Sequence, residues 1–212
     1  MKLVTFMNSE RCDFVYYIGR IISEMTSSVI IIDNSETHEL FRAVLNPVDE
    51  EDNEQDMIVR RNITYLKDIA FSPEFFPSFD YILVHQGANY DGEYIENSNE
   101  IFSMPDFRPD VLRDVPELPD RTIYILRDNA GKVNLASAAQ MMDILPEKIV
   151  GTLDYDAEDY AHYISLLYNG RQRLTGLSES MIQALAFSVA KITGKDEKAV
   201  IRALKKERKS KS

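Results

Sequence analysis

Residues 2–33 read KLVTFMNSERCDFVYYIGRIISEMTSSVIIID, and the order of patterns within them decides the fold. KLVTFM (2–7) and SVIIID (28–33) are short apolar runs rich in β-branched residues, the composition of strands covered on both faces. Between them Phe14, Ile18, Ile21, Ile22 and Met25 recur at helical spacing. Strand, helix and strand in that order make a βαβ unit, which implies a parallel pair. The loop from the first strand to the helix, NSERCD (8–13), lies where many α/β proteins hold a phosphate. It contains no glycine and no lysine.

The same alternation continues outward. HELFRAVL (38–45) reads as a helix and NITYL (62–66) as a short strand. FDYILVHQG (79–87), RTIYILRD (121–128) and EKIVGTL (147–153) read as further strands. A helix capped by Asn134, with Leu135, Ala138, Ala139 and Met142 on its apolar side, follows the second of these. The expected fold is three-layer α/β, with a mainly parallel β-sheet and helices on both faces, in a single domain over 1–212. Two segments break the rhythm. NPVDEEDNEQDM (46–57) carries six carboxylates and no base, and reads as a solvated loop rather than an ion site. Residues 89–119 are rich in Asp, Asn, Glu and Pro with little periodicity, and read as a lid or an interface loop.

The carboxyl end is helical. Ser178 caps a helix with Met181, Ile182, Leu185, Val189 and Ile192 on its core side, and Gly194 ends it. DEKAVIRALKKERKSKS (196–212) then forms a basic C-terminal helix, within the segment 195–212. From Lys198 onward it has seven bases against one acid, with Val200, Ile201 and Leu204 along one side. Lys198, Arg202, Lys205, Lys206 and Arg208 form either a face for anionic lipid or an acidic partner, or a frayed, solubilising end.

Composition narrows the function classes. A net charge of −11 disfavours nonspecific nucleic-acid binding, because phosphate contacts from Lys and Arg dominate such affinity. Cys12 is the only cysteine, which excludes an intramolecular disulfide and a cysteine-rich zinc site and suits a reducing compartment. No apolar run approaches the roughly 18 residues of a membrane span, and residues 1–7 are too short for a signal peptide. The expected location is cytoplasmic, with peripheral contact at the inner face of the membrane through the basic tail.

Three segments resemble the ParA/MinD-type ATPases of the SIMIBI class of P-loop proteins. In VIIIDNSETHELFRAVL (29–45) an apolar strand ends in Asp33, where that family keeps the aspartate of its second nucleotide motif. SFDYILVHQGA (78–88) resembles its buried strand ending in Asp, x, Gly. EKIVGTLDYDAEDYAHYISLLYNGRQRLTGLSESMIQALAFSVAKITG (147–194) resembles its closing section. Within the family the chain looks most like the divergent branch around MinD and the CpaE/TadZ proteins, which help place pilus and secretion assemblies. The resemblance implies a P-loop NTPase-like fold and a dimer that meets across the nucleotide loops.

Departures from the family pattern carry the functional expectation. Its ATPases have a glycine-rich loop with two lysines and a Ser or Thr that holds Mg²⁺. Here Ser9, Arg11, Cys12 and Asp13 stand at the vestigial phosphate-loop positions; Arg11 is the only cation, and Asp13 falls near the helix start, where it would repel a phosphate. Where relatives have an acid after the buried strand, this chain has His85 and then Gln86, a poor set for Mg²⁺. The GK of LRDNAGKVN (126–134) lacks a preceding glycine-rich run. Both Walker motifs are thus degenerate.

Other groupings point to structure rather than chemistry. His38, His85 and His162 have no metal-ligand spacing, and a Cys12–His pair has no supporting motif. Tyr16, Tyr17, Tyr155, Tyr160 and Tyr163 read as core or interface aromatics, and Asp154 and Asp156 as caps of the helix near Ala157. The resulting expectation is a non-catalytic pseudo-ATPase that scaffolds or positions a pilus, secretion or polarity system. It has protein partners and itself as partners, with no cofactor, no metal and no specific nucleic acid; Asp33 and His85 are vestigial. The alternative is an unconventional ATPase that binds ATP and Mg²⁺ through Arg11 and Asp33.

Overall fold

The computed structural model describes residues 1–25, 27–45, 56–72, 74, 77–131, 134–169 and 174–209, without the side chains of 207–209. The acidic run at 46–55, Lys132 and the side chain of Arg208 lie outside these described residues. Eight strands form one sheet in the order β3-β4-β2-β5-β1-β6-β7-β8. They are β1 Lys2–Met7, β2 Val29–Asp33, β3 Met57–Arg60, β4 Ile63–Lys67, β5 Tyr81–His85, β6 Glu100–Ser103, β7 Thr122–Asn129 and β8 Ile149–Asp154. Every neighbouring pair is parallel except β3 with β4. This is the mainly parallel α/β fold expected from the sequence. The exception is a tight hairpin at one edge, turned by Arg61 (φ 50) and Asn62 (φ 61). A two-residue loop with both residues left-handed matches the twist of the flanking strands.

The helices are α1 Asp13–Glu24, α2 Glu39–Val44, α3 Gly92–Asn97, α4 Pro109–Arg113, α5 Leu135–Met141, α6 Ala157–Asn169, α7 Glu179–Thr193 and α8 Glu197–Lys209. Strand residues alternate between two cores. Val4, Ile31 and Leu83 face the cluster built with α1, α2, α6, α7 and α8, whereas Leu3, Ile30 and Ile82 face the side of α3. Tyr124 and Leu126 of β7 pack on that second side against α4 and α5. Helix α1 is buried from Asp13 to Ile22, with α7 and α8 packed alongside it. Gly19 lets it approach the sheet closely, since a Cβ there would meet Ile31 Cδ1 at 2.5 Å.

The predicted caps are present. Asn134 accepts from Ala136 N–H at 2.9 Å, Ser178 accepts from Met181 N–H at 3.2 Å, and Gly194 closes α7 at φ 69. Asp156 accepts from Glu158 and Asp159 N–H at 2.8 and 3.0 Å, as expected of an α6 cap. Asp154 differs: it accepts from the Asn129 amide at 3.3 Å.

Two expectations need correcting. Residues 89–119 are not an aperiodic lid: they hold α3, α4 and the central strand β6, which pairs with β1 and β7. Nor does the basic helix hang free as a tail. Val200, Ala203 and Leu204 of α8 are buried in the main core, and Lys206 pairs with Glu24 of α1 at 2.9 Å. Lys198, Arg202 and Lys205 remain exposed on its outer side. Among the described residues no helix is long and apolar enough to cross a membrane.

Candidate functional site

Parallel strands aim their carboxyl ends at one rim of the sheet, and in α/β proteins that rim is where ligands sit. Here it gathers the loop after β1, Asp33 after β2, His85 to Ala88 after β5, and Arg127 and Asp128 at the end of β7. Asn8 turns the first loop at φ 61, its amide donating to Ser103 Oγ at 2.8 Å.

Asp13 opens α1 with a fully buried carboxylate. It accepts from Phe14 N–H at 2.9 Å, from Arg127 Nη2 at 2.9 and 3.1 Å, and from Arg11 Nη2 at 2.9 Å. The start of α1, the position that favours an anion, is therefore filled by an anion of the chain itself. Burial pushes the Asp13 carboxyl up, but Arg127 and Arg11 outweigh it and hold it below the ordinary carboxylate range.

Arg11 is the hub of the rim. Its other terminal nitrogen donates to Asp128 at 2.9 Å, and its guanidinium lies 4.9 Å from the Tyr163 ring centroid and 5.6 Å from that of Tyr160. Burial alone would lower its pKa; Asp13 and Asp128 more than offset this and keep it cationic. The Tyr163 hydroxyl in turn donates to Glu39 at the start of α2. One cation thus ties α1, β7 and α6 together, and Tyr163 extends the link to α2.

Asp33 is spent on backbone architecture. Its Oδ1 accepts from Ser35 Oγ at 2.6 Å and Ser35 N–H at 3.2 Å, and its Oδ2 accepts from Phe41 N–H at 2.9 Å. His38 precedes α2 at φ 48 without capping it, so Asp33 supplies the cap from a distance. Glu10 does similar work on the loop after β5, accepting from Ala88 N–H at 2.6 Å and Thr37 Oγ1 at 3.3 Å. Gly87, at φ 58, is required beneath it: a Cβ there would meet Glu10 Oε1 at 2.5 Å.

The remaining candidates separate. Ser9 and Arg11 line a cleft of about 670 Å³ with Asn8, Glu10, Tyr90 and Asp128. Cys12 lies buried at the α1 start, and burial followed by the charge of Asp13 pushes its thiol well up, away from nucleophilic use. His85 is buried at the end of β5, its Nε2 without a hydrogen-bond partner among the described residues. His38 instead pairs with Asp68 at 3.3 Å. Tyr16, Tyr17 and Tyr163 are buried, whereas Tyr155 and Tyr160 are exposed. Sequence reasoning missed Glu10, Arg127, Asp128 and the Tyr163–Glu39 pair. The one signal for Arg127 and Asp128 was two charges ending the apolar run RTIYILRD.

No family model matches the sequence, and no curated protein does either. Solved structures do match in fold. The MinD cell division protein of Aquifex aeolicus aligns with a TM-score of 0.63 at 11% identity, over 91% of this chain and 97% of that one. A chain of a MinC:MinD cell division protein complex from Aquifex aeolicus gives 0.65 at 12%, over 91% and 96%. A pNOB8 ParA bound to nonspecific DNA gives 0.53 at 11%, over 97% and 99%. The architecture is accordingly that of the MinD and ParA P-loop ATPases.

Proposed function

We propose that the protein is a non-catalytic member of this structural class, acting as a scaffold or positioning protein. One observation carries the reading: the Asp13 carboxylate, clamped by Arg11 and Arg127, occupies the α1 start where a nucleotide phosphate would have to sit. A phosphate placed there would meet a buried negative charge instead of free N–H groups. The two positions expected to serve Mg²⁺ fit it no better, because Asp33 is engaged by Ser35 and Phe41 and His85 offers nitrogen to a cation that prefers oxygen. The same engagement of Asp33 argues against an ATPase built on Arg11 and Asp33.

A rim locked by its own ion pairs suits constant protein contacts better than a nucleotide cycle. The exposed Tyr160 beside Arg11 is the natural anchor of such a contact, with a partner protein or a second copy. The finer placement, in the branch around CpaE/TadZ and serving a pilus, secretion or polarity system, is part of the same proposal and rests on the order of the sequence segments. Nucleic acid stays among the partners to be tested, since pNOB8 ParA is seen on nonspecific DNA and α8 exposes Lys198, Arg202 and Lys205.

Calorimetric titration with ATP and Mg²⁺ tests the reading. We expect no saturable heat; micromolar binding, or phosphate release that Asp33→Ala abolishes, overturns it.

A further inference from the structure

We propose that the open edge of the sheet at β8, with the groove beside it, docks an extended segment of a partner protein. That segment bears alternating apolar residues and a lysine or arginine. The site shares no residue with the rim around Arg11.

Strand β8 ends the sheet and pairs only with β7, so its outer backbone edge is uncovered by any strand among the described residues. Proteins blunt such an edge with Lys, Pro or β-bulges, and of these Ile149–Asp154 has register irregularities but no Lys and no Pro. The pairing with β7 shifts register between Tyr124 and Ile125, leaving Val150 as the extra residue, 43% exposed. Next to this edge a groove of about 600 Å³ opens between β8, α7 and α8, with Val150, Thr152, Ile182, Phe187 and Ile201 in its lining. Phe187 and Ile201 are 36% and 37% exposed, large apolar groups left to water on two different helices.

The lining also states what should cover it. An unpaired strand edge presents N–H and C=O groups at ladder spacing, which only an extended chain can satisfy along its length. Every second side chain of such a strand would then fall on the groove side and meet the apolar wall. Asp154 N–H already donates to Ser180 Oγ at 3.3 Å, so the stretch left for pairing is 149–153. Among the described residues the charged groups lining the groove are Asp154 and Glu197, with no base, which selects a cationic residue in the occupant. A second copy meeting this groove symmetrically would bring the same two carboxylates and so lacks the complementary charge.

The probe is a fluorescein-labelled nonapeptide, KTVTVTVTK, whose valines and lysines fall on one face of a strand, titrated with the full chain and read by anisotropy. We expect saturable binding, weakened roughly tenfold or more when the two lysines become glutamates and again when two valines become prolines. Val150→Lys and Phe187→Lys, on separate elements and both at exposed positions, should each weaken it by about the same factor with no change in the thermal midpoint. No saturable binding up to about 1 mM overturns the proposal, as does binding that neither variant changes. A dimer in sedimentation that Val150→Lys dissolves also overturns it, by making a second copy the occupant.

Discussion

Arg127 donates from one terminal nitrogen to both carboxylate oxygens of Asp13, at 2.9 and 3.1 Å, across 114 residues of chain. Neither side chain is more than 1% exposed. The contact fastens the end of β7 to the start of α1, with Arg11 bridging from Asp13 to Asp128 on the same strand. Charges so deeply buried are costly to bring out of water, and they persist only while each has its partner. The rim is therefore held together by matched charges of the chain itself.

Removing one partner exposes that cost. Asp13→Ala leaves two arginines facing each other without their shared anion, and should destabilise the chain by about 3–5 kcal/mol in urea unfolding. The pair Asp13→Leu with Arg127→Met should cost less than Asp13→Ala alone, since it removes a buried charge of each sign. A double variant as unstable as the sum of its singles would show that the two groups do not act as a pair.

Acid should unlock the same contact. The Asp13 carboxyl titrates lower in the folded chain than in the unfolded one, where it lies near about 3.9, so the unfolded chain takes up the proton first as pH falls. Its contribution is complete above about pH 4 and is lost as pH falls through the lower folded value. The stability gap between the wild type and Asp13→Asn should accordingly be constant from pH 5 to 7 and shrink below about pH 4. A gap that stays constant down to the acid unfolding limit rules out Asp13 as a source of acid sensitivity.

If Asp13 stands in for a phosphate, its removal should restore an anion site. Asp13→Ala keeps the α1 start and both guanidinium groups, so inorganic phosphate should stabilise the variant, by about 1.4 kcal/mol at ten times its dissociation constant. The wild type should show no such gain over chloride at equal ionic strength. Equal responses of the two proteins place any anion binding elsewhere.

Glu10 and Gly87 offer a second way into the rim. Gly87→Ala introduces a Cβ at φ 58 that would lie 2.5 Å from Glu10 Oε1 and 2.9 Å from Ser35 Cβ. Backbone strain of about 1–3 kcal/mol and displacement of the Glu10 carboxylate from Ala88 N–H should follow together. Hydrogen exchange at Ala88 should quicken in the variant well beyond the change at Ile82, which lies within β5; equal acceleration at both would mean general loosening instead.

The frame was legible in the sequence because β1, β2, β5 and β7 are continuous apolar runs, which only strands covered on both faces tolerate. Strand β6 escaped notice because its four residues, EIFS, are too few for a run and are flanked by polar segments. Strand β3 was hidden because MIVR follows directly on the acidic segment. At the rim, Arg11 and Asp13 stood out because they replace the expected glycine and lysine. Their partners did not, since Arg127, Asp128 and Tyr163 are more than a hundred residues away and only the closed sheet brings them in. The basic helix showed its charge in sequence but not its docking: Val200 and Leu204 look like membrane anchors until α1 is seen beneath them.

Docking of α8 separates two roles that its composition confounds. Val200 and Leu204 are 0% and 2% exposed in the main core, so deleting residues 195–212 should cost at least about 3 kcal/mol and uncover the apolar surface of α1. Reversing charge at Lys198, Arg202 and Lys205 leaves that packing intact and should change stability by no more than about 0.5 kcal/mol per site. Sedimentation with vesicles of mixed zwitterionic and anionic lipid then reads the surface alone. With only Ile201, at 37% exposure, left as an apolar anchor, the full chain should show weak binding that salt abolishes and the triple reversal removes. Salt-resistant binding would require α8 to leave α1 and turn Val200 and Leu204 into the bilayer. That same condition predicts that a disulfide engineered between α1 and α8 would block it.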